Sequence, residues 1–309
     1  MPARRVTVRG HPYSIDRQIG HGLHSLVYGG RDLHSGQPVA IKVISFLHGS
    51  SSVKADTESR RQSYTKEIRT LLYLQPLNPY IIRVFNHDRN TSYGIVVMER
   101  GDTFRDTLTR HLLRHEPIPP ELIRHYWFQM VDSIAHLHRI GFVHGDCKPE
   151  NYIQVGPDRN TLRLIDMGIS FRLPPKVTTR LKTATGTPGN HLNVPIKDHF
   201  CLFLFLYLDY VPPETIKSRV PGTDHSRTGY KNDVWALGII LYEMAFGVRP
   251  LQSLPNNNAK LAFLNRLRGD IDIPKHSDRQ LRGVLRGCLR SNPRRRLSIE
   301  QVLRHSYLR

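Results

Sequence analysis

The chain has 309 residues, 39% of them hydrophobic and 23% charged, which is the composition of an ordinary globular protein. This length suits either one two-lobed domain or two domains. Lys and Arg number 45 against 26 Asp and Glu, and the net charge of +19 favours nucleotide, acidic substrate segments, nucleic acid or a membrane surface as partners. A basic solvated face is the alternative interpretation of this charge.

Three further features exclude whole classes of protein. The cysteines, Cys147, Cys201 and Cys288, are odd in number and lack metal-ligand spacing, so we expect a reducing, intracellular compartment rather than a disulfide framework. The first ten residues show no apolar segment of a signal peptide. The longest apolar run, residues 200–208, is shorter than the about 20 residues of a membrane span, so we expect no membrane association.

The first motif along the chain is a glycine-rich turn. Gly20, Gly22, Ser25 and Val27 follow the spacing G-x-G-x-x-S-x-V, and apolar positions alternate on both sides of the turn. This alternation predicts that the turn joins two strands, whereas a dinucleotide-binding fingerprint would lead from a strand into a helix. By itself the turn is either a phosphate-covering loop or a plain hairpin.

A lysine in a strand and a glutamate on a helix come next. Lys42 lies inside a β-branched run at residues 39–44, which indicates a strand. A polar loop at residues 49–56 precedes a helix predicted over residues 57–74, in which Glu67 lies beside an apolar face. The apolar face is formed by Ile68, Leu71 and Leu72. Charged side chains in such positions are commonly solvated, so this pattern leaves their role open.

The middle of the chain changes from predicted strands to predicted helices. Strands are expected at residues 81–85 and 94–98, with a turn at residues 86–90 between them. After two prolines, residues 121–140 place apolar side chains at helical spacing. The apolar side chains are Trp127, Met130, Val131, Ile134 and Leu137. Three histidines share this helix: His125, His136 and His138. No matching Cys/His cluster accompanies them, so we interpret them as surface or core histidines rather than zinc ligands.

Two neighbouring stretches carry the chemistry. The first, HGDCKPEN, offers the carboxylate of Asp146, the cation of Lys148 and the amide of Asn151. The second, LRLIDMGIS, is an apolar strand that ends in Asp166 and a Met-Gly turn. A base, a phosphate-neutralising cation and two hard oxygen ligands for Mg²⁺ are the parts that phosphoryl transfer needs.

The spacing Asp-x-Lys-x-x-Asn, followed by a strand that ends in Asp-x-Gly, resembles the catalytic and metal-binding loops of protein kinases. The resemblance implies that Asp146 orients the acceptor hydroxyl and accepts its proton. It implies that Lys148 neutralises the transferred phosphoryl group, and that Asn151 and Asp166 hold Mg²⁺. Gly145 replaces the arginine that often precedes the catalytic aspartate, so a phosphorylated activation loop has no arginine there to bind.

The same resemblance implies an ATP site. The glycine-rich turn would cover the phosphates, and Lys42, paired with Glu67, would hold the α- and β-phosphates. Met98 would lie at the back of the adenine pocket. The expected ATP-binding residues are Gly20, Gly22, Ser25, Val27, Ala40, Lys42, Glu67, Met98, Glu99 and Gly101. Met167 stands where these kinases usually have phenylalanine, and its flexible apolar side chain fits the same pocket.

The fold that this resemblance implies is α+β and bilobal, with a small β-rich lobe and a larger helical lobe. Residues 1–309 form one kinase domain in this interpretation, with a first lobe at 11–98, a hinge at 99–101 and a second lobe at 102–309. ATP and Mg²⁺ are expected in the cleft between the lobes.

The activation segment is predicted beyond Gly168. Its expected phosphorylation sites are Thr178, Thr179, Thr183 and Thr185, where added negative charge on a basic molecule would order the loop. Thr187 resembles the threonine of the kinase substrate-binding loop. Asp233 resembles the aspartate that braces the catalytic loop, and Glu214 and Arg296 resemble a buried ion pair that anchors the substrate-binding region.

Residues 189–209 interrupt the kinase pattern before the sequence YVPPE. Their Phe-, Leu-, Cys- and Tyr-rich composition would be an aggregation liability in an exposed loop. These residue types can be written with pyrimidine-rich codons, and codons at both ends can supply a splice donor and acceptor. Removing residues 189–208 would restore the kinase pattern, so we hypothesise a translated intron, with a lineage-specific insertion as the alternative.

Within the superfamily, the chain resembles the monopolar-spindle (spindle-checkpoint) kinases. The similar stretches include VRGHPYSIDRQIGHG, SYTKEIRTLLYLQ, VVMERGD and KNDVWALGIILYEMAFGVRPLQ. The resemblance implies a dual-specificity kinase that phosphorylates its own activation loop and acts on kinetochore proteins, in the nucleus at kinetochores and in the cytoplasm. The long kinetochore-docking region of that family has no counterpart here, so we interpret the chain as an isolated catalytic domain, a fragment or a divergent relative.

Two rival functions stay open from the sequence. The first is a catalytically dead pseudokinase that serves as a scaffold. The second is a basic nucleic-acid-binding module, suggested by the Arg-rich residues 282–296. Nucleic acid is the less expected partner, because aromatic residues interleaved for base stacking are missing from that stretch.

Overall fold

The structure is a computed structural model that describes residues 4–22, 24–47, 54–183, 208–217, 225–276 and 278–309. The chain divides into two compact units. The first consists of residues up to Asp102 together with Ile153–Gly168. The second consists of Thr103–Tyr152 and the rest of the described chain from Ile169 onward. The lobe and hinge boundaries of the sequence analysis stay predictions.

The first unit is built on a six-stranded antiparallel sheet in the order β1-β2-β3-β4-β6-β5. Its strands are β1 (Arg4–Val8), β2 (His11–Gly22), β3 (Ser25–Asp32), β4 (Pro38–Ser45), β5 (Val84–Arg89) and β6 (Tyr93–Glu99). Alternate side chains point to one face, and six of them form a buried cluster. This cluster consists of Val8, Tyr13, Val39, Ile41, Ile95 and Val97.

Helix α1 (Lys54–Leu74) belongs to this unit and begins within the predicted polar loop. The loop prediction was wrong for residues 54–56, because polar residues such as Lys54 and Asp56 do not by themselves end a helix. The buried face is Tyr64, Ile68, Leu71 and Leu74. Leu72 is exposed, contrary to the prediction, because it lies about 100° around the helix from Leu71.

The strand predicted at residues 81–85 was also misplaced, since β5 continues to Arg89 and the chain turns at Asn90 instead. Ile81 makes an isolated parallel bridge with Leu164. Strand β5 carries polar residues because it lies at the edge of the sheet, where polar side chains reach water. The polar composition of this strand produced the incorrect turn prediction.

Short strands make up three smaller sheets. One has the order β10-β9-β7, and most of its residues lie in the first unit. The other two are the pairs β11-β8 and β12-β13. The strands are β7 (Asp102–Thr103), β8 (Phe142–Val143), β9 (Tyr152–Val155), β10 (Thr161–Leu164), β11 (Phe171–Arg172), β12 (Thr179–Thr183) and β13 (His225–Gly229).

The second unit is mostly helical. Its α-helices are α2 (Phe104–Leu113), α3 (Pro120–Arg139), α4 (Pro213–Lys217), α5 (Tyr230–Phe246), α6 (Asn257–Arg266), α7 (Arg279–Cys288) and α8 (Ile299–Leu303). Short 3₁₀ turns lie at Pro149–Asn151, Leu208–Tyr210 and Ser306–Leu308. Helix α3 agrees with its prediction to within one residue at each end, and its five predicted apolar side chains are all buried.

Helix α5 packs at the centre of this unit. The indole N–H of Trp127 on α3 donates a 3.0 Å hydrogen bond to the carbonyl oxygen of Leu237 on α5.

The β-rich first unit and the helical second unit confirm the predicted α+β class. None of the described helices is long and apolar enough to cross a membrane.

Candidate active site

The glycine-rich turn is a hairpin between β2 and β3. In its register Gly20 lies opposite Val27, and Gly22 lies opposite Ser25. The tip at residue 23 is outside the described residues. A strand-to-strand turn is the form that the sequence predicted and differs from the strand-to-helix turn of a dinucleotide site. The glycines Gly20 and Gly22 carry no side chain, so a ligand could approach the backbone of this hairpin closely.

The hairpin lies beside a charged pair in the same unit. Lys42 on β4 lies opposite Val27, and its Nζ donates a 2.8 Å hydrogen bond to Oε1 of Glu67 on α1. Burial lowers the pKa of Lys42, but the carboxylates of Glu67 and Asp166 and the hydrogen bond to Glu67 outweigh it, so the pKa is raised. The ammonium group is therefore held as a fixed cation, which is what a phosphate-binding lysine requires.

Asp166 follows strand β10 of the first unit. Its backbone is left-handed, with φ of 62°, and its Oδ1 accepts a 2.9 Å hydrogen bond from the N–H of Gly168. Strand β10 is fixed because Leu164 exchanges backbone hydrogen bonds with Tyr80 and Ile82. Met167 is fully buried, as expected for a side chain that replaces phenylalanine. The turn therefore holds one carboxylate on a rigid strand end.

The predicted adenine-binding residues also lie in the first unit. Ala40 and Met98 are opposite each other on β4 and β6. The side chain of Glu99 accepts a 3.2 Å hydrogen bond from Nε of Arg163, which the sequence analysis missed. A Cβ atom on Gly101 would overlap the carbonyl oxygen of Gln154, so only glycine fits this close backbone approach.

The residues of HGDCKPEN meet within the second unit. Lys148 Nζ donates a 2.8 Å hydrogen bond to Oδ2 of Asp146. The Nδ2 atom of Asn151 donates to the same Oδ2 at 2.9 Å and to the backbone oxygen of Asp146 at 2.8 Å. The Asn151 amide is oriented by these two bonds. The segment thus places a carboxylate, an ammonium group and an amide in direct contact.

Asp233 on α5 fixes the backbone of this segment by hydrogen bonds. The buried Asp233 carboxylate accepts hydrogen bonds from the backbone N–H groups of His144 and Gly145, at 2.9 and 2.8 Å, and from Nε2 of His138 at 2.8 Å. Burial raises the pKa of Asp233, but the hydrogen bond and charge of His138, the charge of His144 and the Gly145 N–H outweigh it, so the pKa is lowered. His138 is therefore a structural partner of Asp233.

Gly145 has a φ of 79°, a left-handed conformation that costs a side chain about 1 kcal/mol or more. A glycine at the position before Asp146 is therefore free of this strain. The backbone at this point directs the Gly145 N–H toward the Asp233 carboxylate. The absence of arginine at this position has a conformational benefit that the sequence alone did not reveal.

Glu214 and Arg296 form a second buried pair. Both oxygens of Glu214 accept hydrogen bonds from the two terminal nitrogens of Arg296, at 2.7 and 2.9 Å. The guanidinium group also lies over the ring of Trp235 at 4.9 Å and is fully buried. Bidentate geometry of this kind is the strongest form of an arginine–carboxylate bond.

Among the predicted phosphorylation sites, Thr178 and Thr179 are exposed at the start of β12, and Thr183 ends that strand. Thr185, Thr187 and residues 189–207 of the insertion lie outside the described residues. Leu208 and Asp209 are buried, and Asp209 accepts a 2.8 Å hydrogen bond from Nζ of Lys260.

An ionic network that the sequence did not predict surrounds Arg105 on α2. The Arg105 guanidinium donates to Glu150 at 2.8 Å, to Glu243 at 2.7 Å and to the hydroxyl oxygen of Tyr210 at 2.5 Å. These partners lie 45 to 138 residues away along the chain, so no local spacing could have indicated the network. The network links α2 to the HGDCKPEN segment through Glu150 and to α5 through Glu243.

Comparison with known proteins finds similar chains among protein kinases. The chain is 32% identical over 98% of its length to the dual specificity protein kinase Ttk of Danio rerio. It is 31% identical to the dual specificity protein kinase TTK of Mus musculus and 27% identical to the probable serine/threonine-protein kinase mps1 of Dictyostelium discoideum, each over 98% of this chain. The chain spans 28%, 32% and 28% of the lengths of these three relatives.

The family model described as "Protein kinase domain" matches residues 13–308. This match covers both units, from strand β2 of the first to the 3₁₀ turn at Ser306–Leu308 of the second. The fold class and the resemblance to the monopolar-spindle kinases are confirmed by these comparisons. The chain belongs to the protein kinase family.

Proposed function

We propose that the chain transfers the γ-phosphoryl group of ATP to serine and threonine hydroxyls of proteins, and to tyrosine hydroxyls as a dual-specificity kinase. The observation that carries this proposal is the contact of Lys148 and Asn151 with the Asp146 carboxylate, held by Asp233. A scaffold protein needs no such arrangement of base, cation and amide.

Each of these side chains has a separate task in the proposed reaction. Asp146 aligns the acceptor hydroxyl and takes its proton as the hydroxyl oxygen attacks phosphorus. Lys148, 2.8 Å from Asp146, then neutralises negative charge on the transferred phosphoryl group. Asp233 keeps the backbone of the segment in place, so little reorganisation is needed when the charge develops.

The nucleotide would be bound by the residues of the first unit. The hairpin of Gly20 and Gly22 offers backbone N–H groups to the phosphates, and the fixed cation of Lys42 offers a point charge. Glu67 keeps that cation in position. The small side chain of Ala40 and the backbone at Glu99–Gly101 would receive the adenine.

Each of the two predicted metal ligands, Asp166 and Asn151, has an oxygen donor that fits Mg²⁺. The Asp166 carboxylate and the Asn151 amide oxygen are hard ligands of the type that Mg²⁺ prefers, and the Asn151 Nδ2 is already committed to Asp146. When bound, the ion neutralises charge on the phosphate oxygens. Neither Asp166 nor Asn151 is a ligand for soft metals, which prefer sulfur.

The finer assignments rest on similarity to the Ttk relatives, whose names state dual specificity. We place autophosphorylation at Thr178, Thr179, Thr183 and Thr185 of the activation segment. We propose that the enzyme phosphorylates kinetochore and spindle-checkpoint proteins. We expect it in the nucleus, at kinetochores, and in the cytoplasm. A tagged chain that stays evenly distributed through mitosis would argue against the kinetochore assignment.

The decisive experiment is transfer of radiolabelled phosphate from Mg-ATP to a protein substrate. The intact chain is compared with a version lacking residues 189–208, each with its Asp166→Asn variant as the blank. Folding of both is checked by circular dichroism, because the deletion removes the buried side chain of Leu208. Activity in the deletion alone supports the translated intron, and activity in both makes the insertion a tolerated loop.

If neither form transfers phosphate although both still bind ATP, the proposal is contradicted. The chain would then be a pseudokinase scaffold.

A further inference from the structure

Three metal-ligating side chains that phosphoryl transfer does not use meet at one end of the six-stranded sheet. They are His11 at the start of β2, Asp32 at the end of β3, and His34 in the turn that follows β3. One ligand atom from each lies within 4.8 Å of the others. His11 and Asp32 are partly buried and His34 is exposed, so the group is open to solvent on one side.

The backbone brings these residues together. The tight turn at Arg9 and Gly10, both with positive φ, starts β2 at His11. Tyr13 pairs with Asp32 in the register of β2 and β3, which places His11 beside the end of β3. The turn after Asp32 is closed by a 2.8 Å hydrogen bond from the Gly36 N–H to the Asp32 carbonyl oxygen. His11 and Asp32 therefore lie at hydrogen-bonded strand ends, and His34 lies in the closed turn that follows β3.

The Asp32 carboxylate is oriented for a ligand. Its Oδ1 accepts hydrogen bonds from the backbone N–H groups of His34 and Ser35, at 2.8 and 3.1 Å. Its Oδ2 accepts one from Nε2 of His11 at 2.9 Å. These three hydrogen bonds fix the orientation of the carboxylate.

We propose that His11, Asp32 and His34 form a surface site for a divalent transition-metal ion of the zinc type, with water completing the coordination. Two imidazoles and a carboxylate suit Zn²⁺, whereas Mg²⁺ and Ca²⁺ prefer oxygen ligands. The backbone N–H groups on Oδ1 of Asp32 supply the outer-shell support that metal ligands need.

Binding requires a small rearrangement of the cluster, in which His34 moves closer and the 2.9 Å separation of His11 Nε2 and Asp32 Oδ2 widens. Ligands about 2.0–2.1 Å from a tetrahedral zinc ion lie about 3.4 Å apart, which is within reach of a rotation of the exposed His34 ring. The His11 and His34 rings already lie 4.4 Å apart between centroids. On binding, the proton on Nε2 of His11 moves to solvent or to Nδ1, and bonds from His11 and Asp32 to the ion replace their mutual hydrogen bond.

The test measures Zn²⁺ affinity by competition with a chromophoric chelator, and uses Co²⁺ as a visible-absorbance probe of the same site. The wild-type chain is compared with His34→Ala, His11→Ala and Asp32→Asn. His115→Asn is the matched control, because His115 is an exposed histidine with positive φ, which asparagine tolerates. We expect the three site variants to bind the ion at least about tenfold more weakly, and the control to match the wild type.

Two further measurements complete the test. Zn²⁺ should raise the thermal unfolding midpoint of the wild type and of the control but not that of His34→Ala, whose midpoint without metal should equal the wild-type value. Excess Mg²⁺ should leave Zn²⁺ in place. Equal Zn²⁺ affinity in the wild type and His34→Ala, or displacement of Zn²⁺ by Mg²⁺, would overturn the proposal.

Discussion

The buried carboxylate of Asp233 accepts a 2.8 Å hydrogen bond from the backbone N–H of Gly145, the residue that precedes Asp146. A helix of the second unit thereby fixes the backbone of the predicted catalytic segment. The backbone that precedes Asp146 is thus fixed by a residue 88 positions beyond Gly145.

Asp233→Ala is expected to weaken both the fold and phosphoryl transfer. The substitution removes the acceptor of the buried His144 N–H, at a cost of about 1–3 kcal/mol, and the acceptor of the half-buried Gly145 N–H, at a smaller cost. Urea unfolding followed by fluorescence measures the loss. Asp158→Ala, at an exposed aspartate, is the control and should change the midpoint little. Equal midpoints for the two variants would contradict the assigned role of Asp233.

The stability contributed by Asp233 should depend on pH in a definite direction. Its pKa in the folded chain lies below the ordinary value of 3.8, so the anion is favoured by folding. This contribution is fully present above pH 3.8 and is lost as the pH falls through the lower, folded pKa. We therefore expect the wild type to have a higher urea midpoint than Asp233→Asn at pH 5. The difference should shrink below pH 3.8, and a difference that grows there would refute the assignment.

Breaking the Lys42–Glu67 pair should abolish most activity without unfolding the chain. Lys42→Met removes the cation that lies 2.8 Å from Glu67, and we expect the rate of phosphoryl transfer to fall by at least about 100-fold. Glu67→Gln should lower the rate less, because the lysine remains. Glu58→Gln makes the same chemical change at an exposed position of the same helix and should be neutral. Rates from single-turnover assays check this order, and full activity of Lys42→Met would contradict the proposed function.

Gly101→Ala should destabilise the first unit. The added methyl group would overlap the carbonyl oxygen of Gln154, and overpacking of this kind costs about 1–3 kcal/mol. Gly269→Ala is the matched control, since a Cβ atom there meets open space. Thermal unfolding midpoints distinguish the two variants. If ATP affinity falls while the midpoint is unchanged, the backbone shift is confined to the predicted adenine-binding segment.

Glu214→Ala should be among the most damaging single substitutions. It leaves the fully buried Arg296 guanidinium without its carboxylate, which costs about 3–5 kcal/mol. The exposed pair of Arg139 and Glu300 offers a comparison, and Glu300→Ala should cost less than about 1 kcal/mol. Denaturant unfolding gives both values. Similar losses from the two substitutions would show that the Glu214–Arg296 pair is not a buried anchor.

The predictions that held depended on local pattern. The helical spacing of five apolar side chains located α3 to within one residue, and the β-branched run around Lys42 located β4. Two of the predictions that failed came from polarity alone. Polar residues predicted a loop before α1 and a turn within β5, although helices and edge strands both tolerate polar residues.

The sequence by itself determined the family, the α+β class and the candidate chemical groups, because short spacings such as Asp-x-Lys-x-x-Asn encode them directly. Only the tertiary structure decided which distant groups meet. The Arg105 network, the bond from Arg163 to Glu99 and the cluster of His11, Asp32 and His34 join residues that are far apart along the chain. Such contacts depend on strand register and helix packing, and no local pattern records them.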